Sequence, residues 1–174
     1  GQCYYCLSGK ENHCLNLQPG QSAMSEYIVW NSRQLIKLPD HVSLEEGCLT
    51  DPIGFSLHGI NRSNLKIGDR VMIIGGTVPG LILLQLAKMS GATHLTVVDP
   101  VENNRILARQ LGAEHTIDPN AENISTQALL YTDQLGYDIV FETSGNIKML
   151  SFASISLARQ GVLAYSTVYG LNLK

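Results

Sequence analysis

One run of residues limits what this chain can become more than any other: "VMIIGGTVPGLILLQLAKMSGA", residues 71–92. An apolar strand pattern over residues 70–75 breaks into a glycine-rich turn and resumes as an apolar helix over 79–89. About two dozen residues beyond Gly75 a second apolar run, "LTVVD", ends on an acid, Asp99. Strand candidates at 94–98, 115–118, 137–142 and 161–166 continue the series, with helical stretches between them. Alternation of this kind calls for a parallel sheet covered by helices on both faces, and strands that are apolar on both sides suit that double burial. The expected fold is α/β, with a doubly wound parallel sheet.

The turn itself, Gly75, Gly76, Thr77, Val78, Pro79 and Gly80, is the candidate cofactor-binding segment. Gly75 permits a tight turn and Gly80 lets the helix approach the strand. The helix N-terminus offers N–H groups and the positive end of its dipole to a pyrophosphate. Asp99 is placed to accept hydrogen bonds from the adenosine ribose hydroxyls and to repel a 2′-phosphate, which predicts NAD over NADP, with Arg105 as the nearby cation that opposes this. Thr77 stands where the middle glycine of the dinucleotide fingerprint belongs, so its Cβ is expected to crowd the phosphate or to reroute the loop. Strand, turn, helix, strand and terminal acid in that order indicate a Rossmann nucleotide-binding domain. The alternative is a plain βαβ unit whose glycines only ease packing.

At 174 residues with 44% hydrophobic and 16% charged side chains, the chain can bury a core of its own. Its net charge of -3 and scattered basic residues leave no cationic stripe for a phosphate backbone, so no nucleic-acid partner is expected. No segment has the roughly 18 to 20 apolar residues that span a bilayer, and the first residues are not a signal peptide, so no membrane partner and a cytoplasmic location are expected.

Cys3, Cys6 and Cys14 crowd into "GQCYYCLSGKENHC", with Cys48 apart from them. The spacing C-x2-C-x7-C on a glycine-containing loop suits thiolates closing around a tetrahedral zinc, which takes four ligands at a structural site. Three are present. His13 and a cysteine just before Gly1 are the candidates for the fourth, and the alternative is three reduced surface thiols. Residues 1–57 otherwise read as short strands and turns, with "SEYIVW" and "QLIKLP" as strand candidates, Pro19, Gly20 and Pro39 as punctuation, and "DHVSLEEG" as a turn leading into a helix. The expected organisation is a partial catalytic domain over 1–57 and a nucleotide-binding domain over 58–174.

These segments together resemble the zinc-dependent medium-chain alcohol and polyol dehydrogenases of the sorbitol and threonine dehydrogenase kind. The family's structural-zinc lobe has the form C-G-x-C-x2-C-x7-C, which the opening residues match from the second position. "SAMSEYIVWNSRQLIKLPDHVSLEEGCLTDP" is similar to the stretch that follows the lobe, and "LKIGDRVMIIGGTVPGLILLQLAKMSGA", "VVDP", "ARQLGAEHTID" and "YDIVFETSGN" are similar to the nucleotide-binding core. The departures are Thr77 and the order Val78-Pro79.

The resemblance implies a partial β-rich, GroES-like catalytic domain before the Rossmann domain. It also implies a chain truncated at both ends, from an oxidoreductase that passes a hydride from an alcohol or polyol to NAD with zinc as Lewis acid, in a homo-oligomeric parent protein. It places Thr143 and Gly145 of "FETSGN" near the nicotinamide, and Asp51 of "TDP" at or beside the catalytic zinc. From the residues alone, Asp51 before Pro52 is equally a helix N-cap. His58, two turns on, shares its face and is expected as a hydrogen-bonded core residue, with the substrate cleft as the alternative. The family's remaining catalytic ligands, a cysteine and a His-Glu pair, lie upstream of the lobe. The chain by itself is therefore expected to be inactive, with a non-catalytic nucleotide- or zinc-binding module as the alternative role; a zinc-free quinone reductase is disfavoured by the cysteines.

Overall fold

A computed structural model describes residues 2–17 and 23–165. The turn expected at Pro19 and Gly20, the last residue of the strand candidate 161–166, and the segment after it lie outside the described residues. The chain divides into two compact units, Gly1–His41 and Val42–Lys174. No described helix is long and apolar enough to cross a membrane.

The first unit holds a single turn of helix, α1 (Tyr4–Leu7), and two 3-10 turns, Glu11–His13 and Ser32–Gln34. The strand candidates "SEYIVW" and "QLIKLP" are corrected here, because neither forms a strand. Tyr27 and Val29 are 90% and 93% exposed. A β-favouring run becomes a strand only when a neighbour takes its backbone hydrogen bonds, and none does so among the described residues of this unit.

The second unit opens with α2 (Leu44–Gly47), started by a reciprocal cap in which the Glu46 N–H donates to Ser43 Oγ at 3.1 Å and the Ser43 N–H to Glu46 Oε2 at 2.8 Å. This is the turn-to-helix signal of "DHVSLEEG". The chain then runs through α3 (Thr50–Ser63), β1 (Arg70–Ile74), α4 (Val78–Met89), β2 (Thr93–Val98), α5 (Glu102–Leu111), β3 (His115–Ile117), α6 (Ile124–Leu130), β4 (Tyr137–Glu142), α7 (Ile147–Ser156) and β5 (Leu157–Tyr165). The sheet order is β3-β2-β1-β4-β5 and every pairing is parallel. This is the doubly wound α/β fold that the alternation predicts. β5 starts earlier than the candidate 161–166, because its first residue pairs with Tyr137 before a bulge carries the register to Ile139 opposite Val162.

Side-chain alternation along β1 sorts the core into two layers. Val71 and Ile73 join Leu83 and Leu84 of α4, Ala108 of α5 and Ile60 of α3. Met72 and Ile74 face the other way, onto Ala128 of α6 and Phe152 and Ala153 of α7. A bidentate pair ties the entrances of the two central strands: Arg70 Nε and Nη2 donate to Asp138 Oδ2 and Oδ1, both at 2.8 Å, and the Arg70 N–H reaches Oδ2 at 2.9 Å. The guanidinium holds the Asp138 carboxyl below its ordinary range. In the second layer, burial pushes the Tyr137 phenol up to about 12, while its hydroxyl donates to Thr96 Oγ1 at 2.8 Å.

Candidate functional site

The glycine turn after β1 is shaped by close approach. Gly75 has φ +108°, a left-handed value that favours glycine, and a Cβ there would lie 2.5 Å from Thr143 Oγ1. At Gly80 a Cβ would run into the carbonyl oxygen of Gly75, so the first turn of α4 touches the strand end only because Gly80 has no side chain. The Gly75 N–H donates to Val98 O at 2.8 Å, and the Gly76 N–H to Asp99 Oδ2 at 2.7 Å. Thr77 has an extended backbone at φ -85°, which any residue adopts, and its side chain is exposed. Pro79 lies in the first turn of α4, where its missing N–H removes no helical bond. The N–H groups of Thr77, Val78 and Gly80 are left without a helical acceptor by their position.

Asp99 is 4% exposed and accepts three hydrogen bonds, from Gly76, from the Val101 N–H to Oδ1 at 2.8 Å and from Asn104 Nδ2 to Oδ1 at 3.1 Å. A carboxylate has about four acceptor positions, so one remains, on Oδ2. Thr143 is buried beneath the turn, its hydroxyl donating to Ile74 O at 2.9 Å and its N–H to the same oxygen at 2.9 Å. Gly145 adopts φ +69° in the loop after β4. The fully buried Glu142 organises that loop, accepting from the Ser144 N–H at 2.8 Å, from the Ser144 hydroxyl and from the Gly145 N–H at 3.4 Å.

In the first unit the chain folds Cys3, Cys6 and Cys14 together. Their sulfurs lie within 4.8 Å of one another, and Cys3 and Cys6 are 3.6 Å apart. Two thiolates on one tetrahedral zinc are separated by about 3.8 Å, the edge of a tetrahedron with Zn–S bonds of about 2.3 Å, so the three thiols fit a zinc ion. Backbone hydrogen bonding, first at Leu15 and then at Cys6, pulls the Cys3 thiol down to about 6. Its neighbours Cys14 and Cys3 push Cys6 up. Crowded thiols oppose each other's ionisation, and a divalent cation removes that opposition. Among the described residues this is the one group of three metal-ligating side chains, and His13 is not part of it.

Asp51 and His58 are both exposed on α3 and join no such group. The cap expected at Asp51 is corrected: Leu49 holds that position, and Asp51 lies in the first turn. Cys48 and Leu49 are themselves helical, so the chain passes from α2 into α3 without the extended residue that a capping side chain requires. His58 is corrected as a core residue, because the buried face of α3 is Ser56, Ile60 and Ser63.

Residues 80–172 match the family model for zinc-binding dehydrogenases. The chain belongs to that family. An uncharacterized zinc-type alcohol dehydrogenase-like protein of Escherichia coli is 34% identical over 98% of this chain, and sorbitol dehydrogenase of Bacillus subtilis is 30% identical over 94%. A structure from Sinorhizobium meliloti, assigned to the zinc-binding dehydrogenases and bound to NADP, superposes with a TM-score of 0.90 at 28% identity, covering 100% of this chain and 53% of that one. The chain spans about half the length of the curated relatives it matches, 51% and 48% for these two.

Within this zinc-binding dehydrogenase chain, sequence reasoning passed over Glu142, Asn104 and Asp118. Glu142 carries a legible signal, an acid ending an apolar strand as Asp99 does. Asn104 and Asp118 carry none: Asn104 reaches Asp99 across the turn after β2, and Asp118 meets Arg105 from the loop after β3.

Proposed function

We propose that this chain supplies the nicotinamide-binding domain and the structural-zinc lobe of a dehydrogenase that takes a hydride from an alcohol or polyol, with NAD preferred over NADP. The observation that carries the reading is the β1 turn closed by Asp99, a buried carboxylate with one acceptor position left beside the helix N-terminus. The dinucleotide, when bound, accepts the hydride at its nicotinamide ring. The chain's own residues bind and orient it: the N–H groups of Thr77, Val78 and Gly80 face a pyrophosphate at the start of α4, and Asp99 receives a ribose hydroxyl on Oδ2. A 2′-phosphate there meets a carboxylate in a poorly solvated position and is repelled. One similar protein, 28% identical, is bound to NADP, and the preference for NAD here rests on Asp99.

Cys3, Cys6 and Cys14 hold the structural zinc in this reading, and the four free thiols support a reducing, cytoplasmic compartment. The homo-oligomeric assembly implied by the family resemblance and the domain division at 57/58 belong to the same reading. The described residues do not fit a catalytic zinc, since Asp51 stands alone, and no step through that metal follows from them. The second reading is a chain that by itself binds nucleotide and zinc without turnover. Calorimetry with NAD and NADP tests the first reading, and an NADH-absorbance assay with polyols and alcohols at saturating NAD and zinc tests the second. NAD binding more tightly than NADP, without turnover, is the expected pair of results. Tighter NADP binding overturns the role of Asp99, and turnover abolished by Asp51→Asn overturns the non-catalytic reading.

A further inference from the structure

The cation nearest the ribose acid is not free to act. Arg105 Nη1 donates to the Asp99 carbonyl oxygen at 2.7 Å, so its guanidinium lies against the residue whose carboxylate meets the ribose. Its Nη2 lies 3.4 Å from Asp118 Oδ2, in the loop after β3. The Arg105 side chain is 16% exposed and that of Asp118 36%, so the pair is partly shielded from water. The other oxygen of Asp118 is engaged separately, accepting the Asn120 N–H at 2.9 Å. An arginine beside the strand-end acid is the group that accommodates a 2′-phosphate in NADP-binding sites, through a planar fork that matches phosphate oxygens. Here that fork already has a carboxylate partner and a carbonyl partner.

We propose that Asp118 is a positioning residue for cofactor selectivity, holding Arg105 against the Asp99 carbonyl and so withholding the guanidinium from a ribose 2′-phosphate. The inference rests on the NAD reading above and adds a second component to it. Asp99 repels the 2′-phosphate directly, while Asp118 captures an adjacent guanidinium that would attract it. The two components separate experimentally, because only the second acts through Arg105.

The test measures dissociation constants of NAD and NADP by calorimetry on the full 174-residue chain and four variants. Asp118→Asn keeps the side chain's shape and its acceptor for Asn120 while removing its charge. The ratio of the NADP constant to the NAD constant is expected to fall by about two- to five-fold, the factor an ion pair of this exposure supplies. In an Arg105→Gln background the same Asp118→Asn change is expected to leave the ratio where Arg105→Gln alone puts it, which closes a double-mutant cycle. An unchanged ratio in Asp118→Asn, an equal fall with and without Arg105, or weakening of both nucleotides alike overturns the inference; the last is what a merely structural role produces. Asp99→Asn tests the underlying reading by itself. If it leaves the ratio unmoved, or if the unaltered chain binds neither nucleotide, the NAD reading fails and the inference with it. If Asp99→Asn shifts the ratio and Asp118→Asn does not, only the inference fails.

Discussion

At the scale of single residues, the nucleotide turn depends on an absent side chain. Gly80 sits where α4 meets the end of β1, and a methyl group there collides with the carbonyl oxygen of Gly75. That neighbour is backbone, held by the Gly75 N–H to Val98 O bond and by Thr143 packed against the turn, so it cannot yield cheaply. Gly80→Ala is expected to destabilise the second unit by roughly 1–3 kcal/mol, the usual cost of overpacking a well-filled site. It should also weaken NAD binding, since α4 must tilt and its N-terminal N–H groups move with it. Urea denaturation and calorimetry on the same variant check the two effects, and an unchanged urea midpoint would show that the turn tolerates the methyl group. Thr77 shows the opposite case. Its extended backbone needs no glycine.

At the scale of elements, the central strands are joined twice, by their ladder and by the Arg70–Asp138 fork at their entrances. Asp138 has a folded-state value below the usual carboxylate range, caused first by its hydrogen bonds from Arg70. A depressed carboxylate contributes stability that is fully present above its unfolded value of about 3.9 and is lost as pH falls through the lower folded value. Asp138→Asn is therefore expected to cost about 1–3 kcal/mol near neutral pH, the range for charge-assisted hydrogen bonds discounted for partial exposure. The difference between variant and parent should shrink below about pH 4. Denaturation midpoints followed from pH 7 to pH 3 check this, and a difference that stays constant with pH would assign the effect to shape and not to charge.

At the scale of the whole molecule, the two compact units owe their order to different physics. The second has a sheet with apolar layers on both faces. In the first, none of the described residues is buried, and its tightest feature is the cluster of three thiols. A unit without a core takes its stability from a metal if it has one, because ligand bonds then supply what apolar burial does not. Removing zinc with a chelator is expected to abolish hydrogen-exchange protection over residues 2–17 while leaving the strands β1, β2 and β4 protected. Cys6→Ser should lower zinc affinity at least ten-fold in a competition titration. Protection over residues 2–17 that survives the chelator would count against a structural zinc in this unit.

The sequence by itself determined the fold class, the order of the elements and the identity of the glycine turn, because these follow from local periodicity and from residues adjacent along the chain. β1, β2, β3 and β4 fall within a residue or so of the runs that predicted them, and for β1 and β4 the reason is that an apolar run buried on both faces has little freedom to be anything else. The spacing of Cys3, Cys6 and Cys14 likewise announced their convergence. Only the tertiary structure decided what depends on partners distant in sequence. "SEYIVW" has strand composition and forms no strand, because nothing among the described residues of its unit pairs with it. His58 has a helical position compatible with burial and is exposed, because the packed stripe of α3 passes through Ser56 and Ile60 instead. The hydrogen-bonded group of Asp99, Asn104, Arg105 and Asp118 spans the ends of two strands and one helix. Asp99, Asn104 and Arg105 bond locally across the turn after β2, and Asp118 joins them because the crossover through α5 lays β3 beside β2.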